Sequence, residues 1–276
     1  AQDSVALARD IIRRREDNYN LVRLRFESGS ENKGSLLLSK AYLNDARLGA
    51  LQAEDAIRVA QSQLAKVLGR DRSEDLRVTG TVPVNPPPRD PAIIELVQRT
   101  PDHRQAVALE RSAEEGVTLA RGQFFPSLAL VGSIGRQGDT FFPTTDVWSV
   151  GVTLSYPLFS GGRDYYSTKS ALEILTAASS NRASVDNQVR TQLVQALTGF
   201  IEAVERLKVD QSYLEAATVR EEIGRSKYNN GLLSFENWDI IENDLIARQK
   251  NVLQSTRDRT ISEASWEQAQ GTGAIP

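Results

Sequence analysis

The sequence predicts a mainly α protein with one β-hairpin, its helices long and paired antiparallel as coiled coils. Three observations predict it. No proline interrupts the stretch between Gly162 and the final residue, Pro276. Apolar residues recur at three- and four-residue steps through most of the chain. Only residues 126–157 carry two runs in which apolar side chains alternate with small polar ones. The 276 residues, 40% hydrophobic and 25% charged, have the composition of a folded protein.

The first element, residues 1–80, reads as a helical hairpin. RFESGSENKGS, from Arg25 to Ser35, breaks it into two helices. In the second helix Leu43, Ala50, Ile57 and Leu64 stand seven apart, with Ala46, Ala53, Ala60 and Val67 as the companion row. So many alanines in a seam let helices approach closely. Residues 81–92 include TVPVNPPPRDP, with prolines at 83, 86, 87, 88 and 91, and read as an extended connector. Residues 93–123 read as the helical approach to the hairpin: Thr100 caps a helix whose first position is Pro101, with Asp102 supplying first-turn negative charge, and that helix runs to about Gly122.

Residues 124–162 hold the hairpin. In WSVGVTLSYPLFSGGR, Trp148, Val150, Val152, Leu154 and Tyr156 share one face, opposite Ser149, Gly151, Thr153 and Ser155. In FFPSLALVGSIGRQG, Leu128, Leu130 and Ile134 share a face opposite Ser127, Ala129 and Ser133. Gly138, Asp139 and Pro143 supply the turn. A half-buried strand of a soluble sandwich has the same period. The aromatic ends favour a membrane, because Trp and Tyr collect where hydrocarbon meets water and a spanning strand needs about 9–11 residues. An isolated hairpin is unstable in water, so this one must complete a sheet with other copies or other segments. Pro157, Gly161 and Gly162 form the strand-to-helix turn.

Residues 163–276 read as a second, longer helical hairpin. Val185, Val189, Leu193, Leu197, Phe200, Val204 and Leu207 mark one helix from about Arg163 to about Tyr228, roughly 95–100 Å long at 1.5 Å per residue. KYNNGLLS ends it, and a second helix begins near Phe235. Placing Gly29 on Gly231 also places Gly69 on Gly271, Phe26 on Tyr228 and Leu43 on Leu245, all at a separation of 202 residues. The chain therefore reads as two copies of a helix–tip–helix unit.

Several function classes find no support. The net charge of −3, with bases interleaved among acids, argues against a nucleic-acid partner. No cysteine is present for a disulfide or a thiolate metal site. No catalytic constellation, metal site or cofactor motif is expected. His103, the single histidine, reads as a solvated helix-start residue, and Glu114–Glu115 and Glu221–Glu222 as solvent-facing acids. No apolar run is long enough for a transmembrane helix, which leaves a transmembrane barrel open. The opening AQDSVALARD is neither an initiator methionine nor a signal peptide, so the chain reads as processed or trimmed.

Three stretches, TPDHRQAVALERSAEEGVTLARGQFFPSLAL, WSVGVTLSYPLFSGGR with the long helix after it, and the tips RFESG and KYNNGLLS, make the chain resemble the TolC-type outer-membrane efflux proteins. The resemblance covers nearly the whole chain and implies the outer membrane factor fold, a homotrimer with a shared transmembrane β-barrel and a tunnel of long periplasmic helices. The connector would belong to an equatorial belt. Leu128, Leu130, Ile134, Trp148, Val150, Val152, Leu154 and Tyr156 would face outer-membrane lipid, and Ser149, Thr153 and Ser155 the barrel interior. The tips, with Phe26, Gly29, Tyr228, Gly231, Leu232 and Ser234, would meet a periplasmic adaptor, or membrane fusion protein, linked to an inner-membrane pump. The implied function is passive conduction to the exterior of a Gram-negative cell in efflux or type I secretion. The family pattern has a strand pair in each repeat, so the first pair would lie before Ala1 and the chain reads as lacking its N-terminal portion. The arginine latch of some members has no counterpart, since Leu232, Leu233 and Ser234 occupy that part of the second tip. The competing reading is a soluble coiled-coil scaffold or a periplasmic adaptor.

Overall fold

The computed structural model describes residues 1–70, 76–80, 82, 84–139, 141 and 145–272. Pro83 of the connector and Pro143 of the hairpin turn lie outside the described residues. The elements in order are α1 (Gln2–Glu27), α2 (Lys33–Val67), α3 (Ile93–Arg99), α4 (Pro101–Gly122), β1 (Ser127–Gln137), β2 (Thr145–Ser155), α5 (Arg163–Asn229) and α6 (Phe235–Ala269). Ala1–Arg89 and Ala196–Trp266 form one unit; Asp90–Gln195 and the stretch from Glu267 form the other.

The repeat is exact at the helix ends. α2 and α6 each have 35 residues, displaced by the 202 positions read from the glycines. Gly29 and Gly231 have φ of 76° and 71°, and Gly69 and Gly271 have 64° and 72°. At the first tip Ser30 N–H bonds the Arg25 carbonyl at 2.8 Å and Gly29 N–H that of Phe26 at 3.0 Å; at the second, Leu232 bonds Lys227 at 2.8 Å and Gly231 bonds Tyr228 at 3.0 Å. This is the left-handed glycine stop that satisfies a helix's last carbonyls. The helices that follow are capped alike, Asn32 Oδ1 accepting from Ser35 N–H at 2.9 Å and Ser234 Oγ from Asn237 N–H at 3.4 Å.

The heptad rows of α2 are its least exposed face. Leu43, Ala46 and Ala50 are buried and Ala53, Ile57, Ala60 and Leu64 half-buried; Val67, at the helix end, is exposed. In α5 Val189, Leu193 and Phe200 are buried and Val185, Leu197, Val204 and Leu207 half-buried. Gly224 lets α5 approach α6, since a Cβ there would stand 3.0 Å from Ile241 Cδ1. The connector is fastened by backbone recognition: Arg259 Nη2 donates to the Asn85 carbonyl at 2.8 Å, and Glu263 Oε1 accepts from Asn85 N–H at 2.9 Å.

In the second unit the helix expected from Pro101 to about Gly122 is α4, and the seven-residue α3 precedes it. Thr100, at φ −67° and ψ 147°, is extended between α3 and α4, because the ring of Pro101 disfavours helical geometry in the residue before it. Thr100 Oγ1 then accepts from His103 N–H at 3.4 Å and caps α4. His103 is not a lone solvated residue: its Nδ1 lies 2.7 Å from Asp186 Oδ1, tying α4 to α5, with Arg182–Glu110 at 2.6 Å beside it.

Candidate functional site

β1 and β2 form a two-stranded antiparallel sheet in the register that the alternation requires. Leu128 faces Leu154, Leu130 faces Val152, Gly132 faces Val150 and Ile134 faces Trp148, so the apolar residues of both strands share one face. All are open to the surroundings, with Ile134 at 89% exposure, Trp148 at 74% and Val152 at 67%. Tyr156, Phe124 and Phe125 stand exposed at the other end. On the opposite face Ser127 pairs with Ser155, Ala129 with Thr153 and Ser133 with Ser149, whose hydroxyls lie 2.9 Å apart. Val131 and Val147 interrupt that polar face, each opposite a glycine. Toward the turn, the Arg136–Asp146 pair at 2.8 Å closes the apolar ladder with charge.

Beyond β2, Pro157 is exposed and Gly161 and Gly162 take φ of 63° and 83°, left-handed values that suit glycine and reverse the chain into α5.

At the tips, Tyr228 is 1% exposed, stacked on Trp238 with centroids 4.4 Å apart, and packed with Val22 and Phe235. Arg25 joins the first tip to the second: its Nη1 donates to the Tyr228 carbonyl at 2.5 Å and its guanidinium lies 4.6 Å from the ring centroid. Tyr228 OH donates to Glu31 at 2.9 Å, and burial with this bond raises its pKa well above the usual phenol value. Gly29, Gly231, Leu232 and Ser234 are exposed, Leu232 at 76% and Phe26 at 37%. Tyr228 thus supports the tip from within, while these five residues form its surface.

Below the aromatic floor lies a cluster that the sequence pattern did not disclose. Glu221, read as solvent-facing, is 4% exposed and Glu242 is 1% exposed. Helical spacing shows which face is apolar but not which acid finds a cation from a distant helix. Here Arg14 of α1 lies 3.3 Å from Glu221 and 3.7 Å from Glu242, and Arg225 lies 2.7 Å and 3.9 Å from the same two. Burial raises the Glu242 pKa above the ordinary carboxylate value, Glu221 adding to the rise and Arg14 and Arg225 opposing it. Beside it Arg15 donates to Asn243, pairs with Asp239 at 3.7 Å and stands 4.7 Å over the Tyr42 ring. Glu222, Glu114 and Glu115 are exposed as expected. Among the described residues no helix is long and apolar enough to cross a membrane and no acid–histidine group is arranged to hold a metal.

Residues 92–272 match the family model described as outer membrane efflux protein. The chain is 24% identical over 284 residues to the probable outer membrane lipoprotein SilC of Salmonella typhimurium, covering all of this chain and 61% of that protein. It is 28% identical over 233 residues to the alkaline protease secretion protein AprF of Pseudomonas aeruginosa, covering 80% of this chain and 45% of that one. The fold matches the outer membrane protein VceC of Vibrio cholerae with a TM-score of 0.79 at 20% identity, over 99% of this chain and 66% of that one. The chain thus spans about three fifths of the length of SilC. The long helical hairpins, the exposed apolar β-hairpin and the family match over most of the chain agree: this chain belongs to the outer membrane efflux protein family.

Proposed function

We propose that the chain is part of an outer-membrane channel of a Gram-negative bacterium, which passively conducts substrates from a periplasmic adaptor and inner-membrane pump to the exterior. The carrying observation is the hairpin. Eleven-residue strands with an aligned, exposed apolar face and a mostly small polar face suit a barrel wall with lipid outside and water inside. A two-stranded sheet leaves both edges unpaired, and in hydrocarbon every backbone group needs a partner. Pairing with further strands of a barrel shared by a homotrimer meets that need. Leu128, Leu130, Ile134, Trp148, Val150, Val152, Leu154 and Tyr156 then face lipid, and Ser149, Thr153 and Ser155 face the channel.

In this reading residues 1–80 and 163–276 supply tunnel helices, 81–92 the equatorial connector, 93–123 the approach to the barrel and 124–162 the membrane hairpin. The exposed tip surface of Phe26, Gly29, Gly231, Leu232 and Ser234 receives the adaptor, with Tyr228 holding its shape. Pro157, Gly161 and Gly162 turn the chain from barrel to tunnel. The role is transport, with energy supplied by the pump. The names of SilC as an outer membrane lipoprotein and AprF as a secretion protein support the same class of function. The test compares Val152→Asp with Thr153→Asp in the full-length protein. Loss of membrane insertion in the first alone supports the reading; insertion of both variants would contradict it.

A further inference from the structure

Between α1, α2 and α6, just behind the second tip, a cavity of about 10 Å³ is lined by Arg15, Asn18, Ser39, Tyr42, Phe235, Trp238, Asp239 and Glu242. Three of these side chains carry buried polar atoms that make no well-formed hydrogen bond: Asn18 Nδ2, Trp238 Nε1, and the carboxyl oxygens of Glu242, which meet only the Glu221 carboxyl besides the distant arginines. The three residues are 6%, 2% and 1% exposed. The Glu242 carboxyl has Arg14 at 3.7 Å and Arg225 at 3.9 Å, close enough for attraction and too far for a hydrogen bond. Leaving such groups unpaired removes their hydration with nothing in return, so buried polar groups are almost always satisfied by protein or ordered water.

The chemistry of the lining selects the occupant. The indole and amide N–H groups require an acceptor, and the carboxylate requires a donor. A metal cation would be repelled by the two donors and by Arg15, and an anion by Glu242. The occupant must both accept and donate, and the volume is near the roughly 10–15 Å³ that one water needs. We propose that this cavity is a binding site for a single water, which accepts from Trp238 Nε1–H and Asn18 Nδ2–H and donates to Glu242. Asn18 belongs to the first repeat and Trp238 and Glu242 to the second, so the water joins the two repeats behind the tip. It also gives Glu242 a hydrogen-bond donor that neither arginine provides. The inference is independent of membrane insertion and of any adaptor.

Two measurements test it on the folded protein. A crystal structure at a resolution that shows ordered water should contain one peak within hydrogen-bond distance of at least two of the three groups. With indole-¹⁵N tryptophan, the chain has only Trp148, Trp238 and Trp266 to assign. The Trp238 indole proton should show a cross-peak to bound water, lost in Asn18→Leu. If that variant does not fold, the wild-type peak and cross-peak still decide. No peak and no cross-peak, or a rotated Glu242 accepting directly from Trp238 or Asn18, would overturn the proposal.

Discussion

The hairpin and the bundle behind the tips invert each other's chemistry. The hairpin exposes Ile134 at 89% and Val152 at 67%, whereas the bundle buries Glu242 at 1% and Glu221 at 4%. In water both arrangements are unfavourable: apolar surface is left wet in one, and ions lose hydration in the other. The bundle resolves its conflict internally, since Arg14 and Arg225 face Glu221 and Glu242 in a charge-balanced quartet. The hairpin has no internal resolution, because two strands cannot cover their own face. In the function proposed here the hairpin's partner is lipid, which its aromatic ends and opposite polar face suit.

The contrast can be broken most forcefully in the hairpin. Val152 stands midway between Trp148 and Tyr156, and Val152→Lys should cost about 2–4 kcal/mol at the bilayer midplane. Thr153→Lys, on the other face, should cost close to nothing. Comparing the amounts of each variant in the membrane fraction reads the difference. In the bundle, Arg14→Ala leaves two buried carboxylates with Arg225 alone. It should destabilise by about 3 kcal/mol, the low end for a broken buried pair, read from denaturant unfolding. Arg14→Met with Glu242→Met should recover most of that loss, because apolar packing replaces the pair.

Proton linkage sharpens the same contrast. The folded Glu242 pKa is raised, so the folded state holds a proton that the unfolded state has released. Stability should therefore fall as pH rises from the usual glutamate value of about 4.3 toward the raised folded value, and Glu242→Gln should flatten that slope. Tyr228 is also raised, so its contribution should be lost only above the usual phenol pKa of about 10, and Tyr228→Phe should remove that alkaline limb. The smallest effect is expected at the glycine stops. Gly29→Ala and Gly231→Ala should each cost roughly 1–2 kcal/mol for a left-handed residue. Similar values for the two would show that the repeats share a backbone rule despite different side chains.

Much of this architecture was legible because it rests on local signals. A period of two with aromatic ends marked the hairpin, and its register follows from which residues share a face. Gly29, Gly69, Gly231 and Gly271 marked the helix ends because each needs positive φ. Pro101 marked the start of α4 in the same way, with Thr100 as its cap; the short α3 before it carried no such signal. The buried quartet was not legible. Glu221 resembles any surface acid until the fold brings Arg14 from the other end of the chain to within 3.3 Å. His103 was misread for the same reason, since Asp186 lies on another helix. At the tip, spacing matched Tyr228 to Phe26, but only the fold distinguishes a stacked core ring from a residue at 37% exposure.

The claim that the hairpin's solvent is lipid has a direct test, and residues 1–276 contain no cysteine to compete with an introduced one. Single cysteines placed in turn at positions 148–156 of the full-length protein, each spin-labelled and reconstituted in lipid vesicles, report collision with oxygen dissolved in lipid and with a water-soluble paramagnet. The account predicts strict alternation: oxygen contact at 148, 150, 152, 154 and 156, and aqueous contact at 149, 151, 153 and 155. Uniform aqueous contact along the strand, or protection from both reagents, would contradict it.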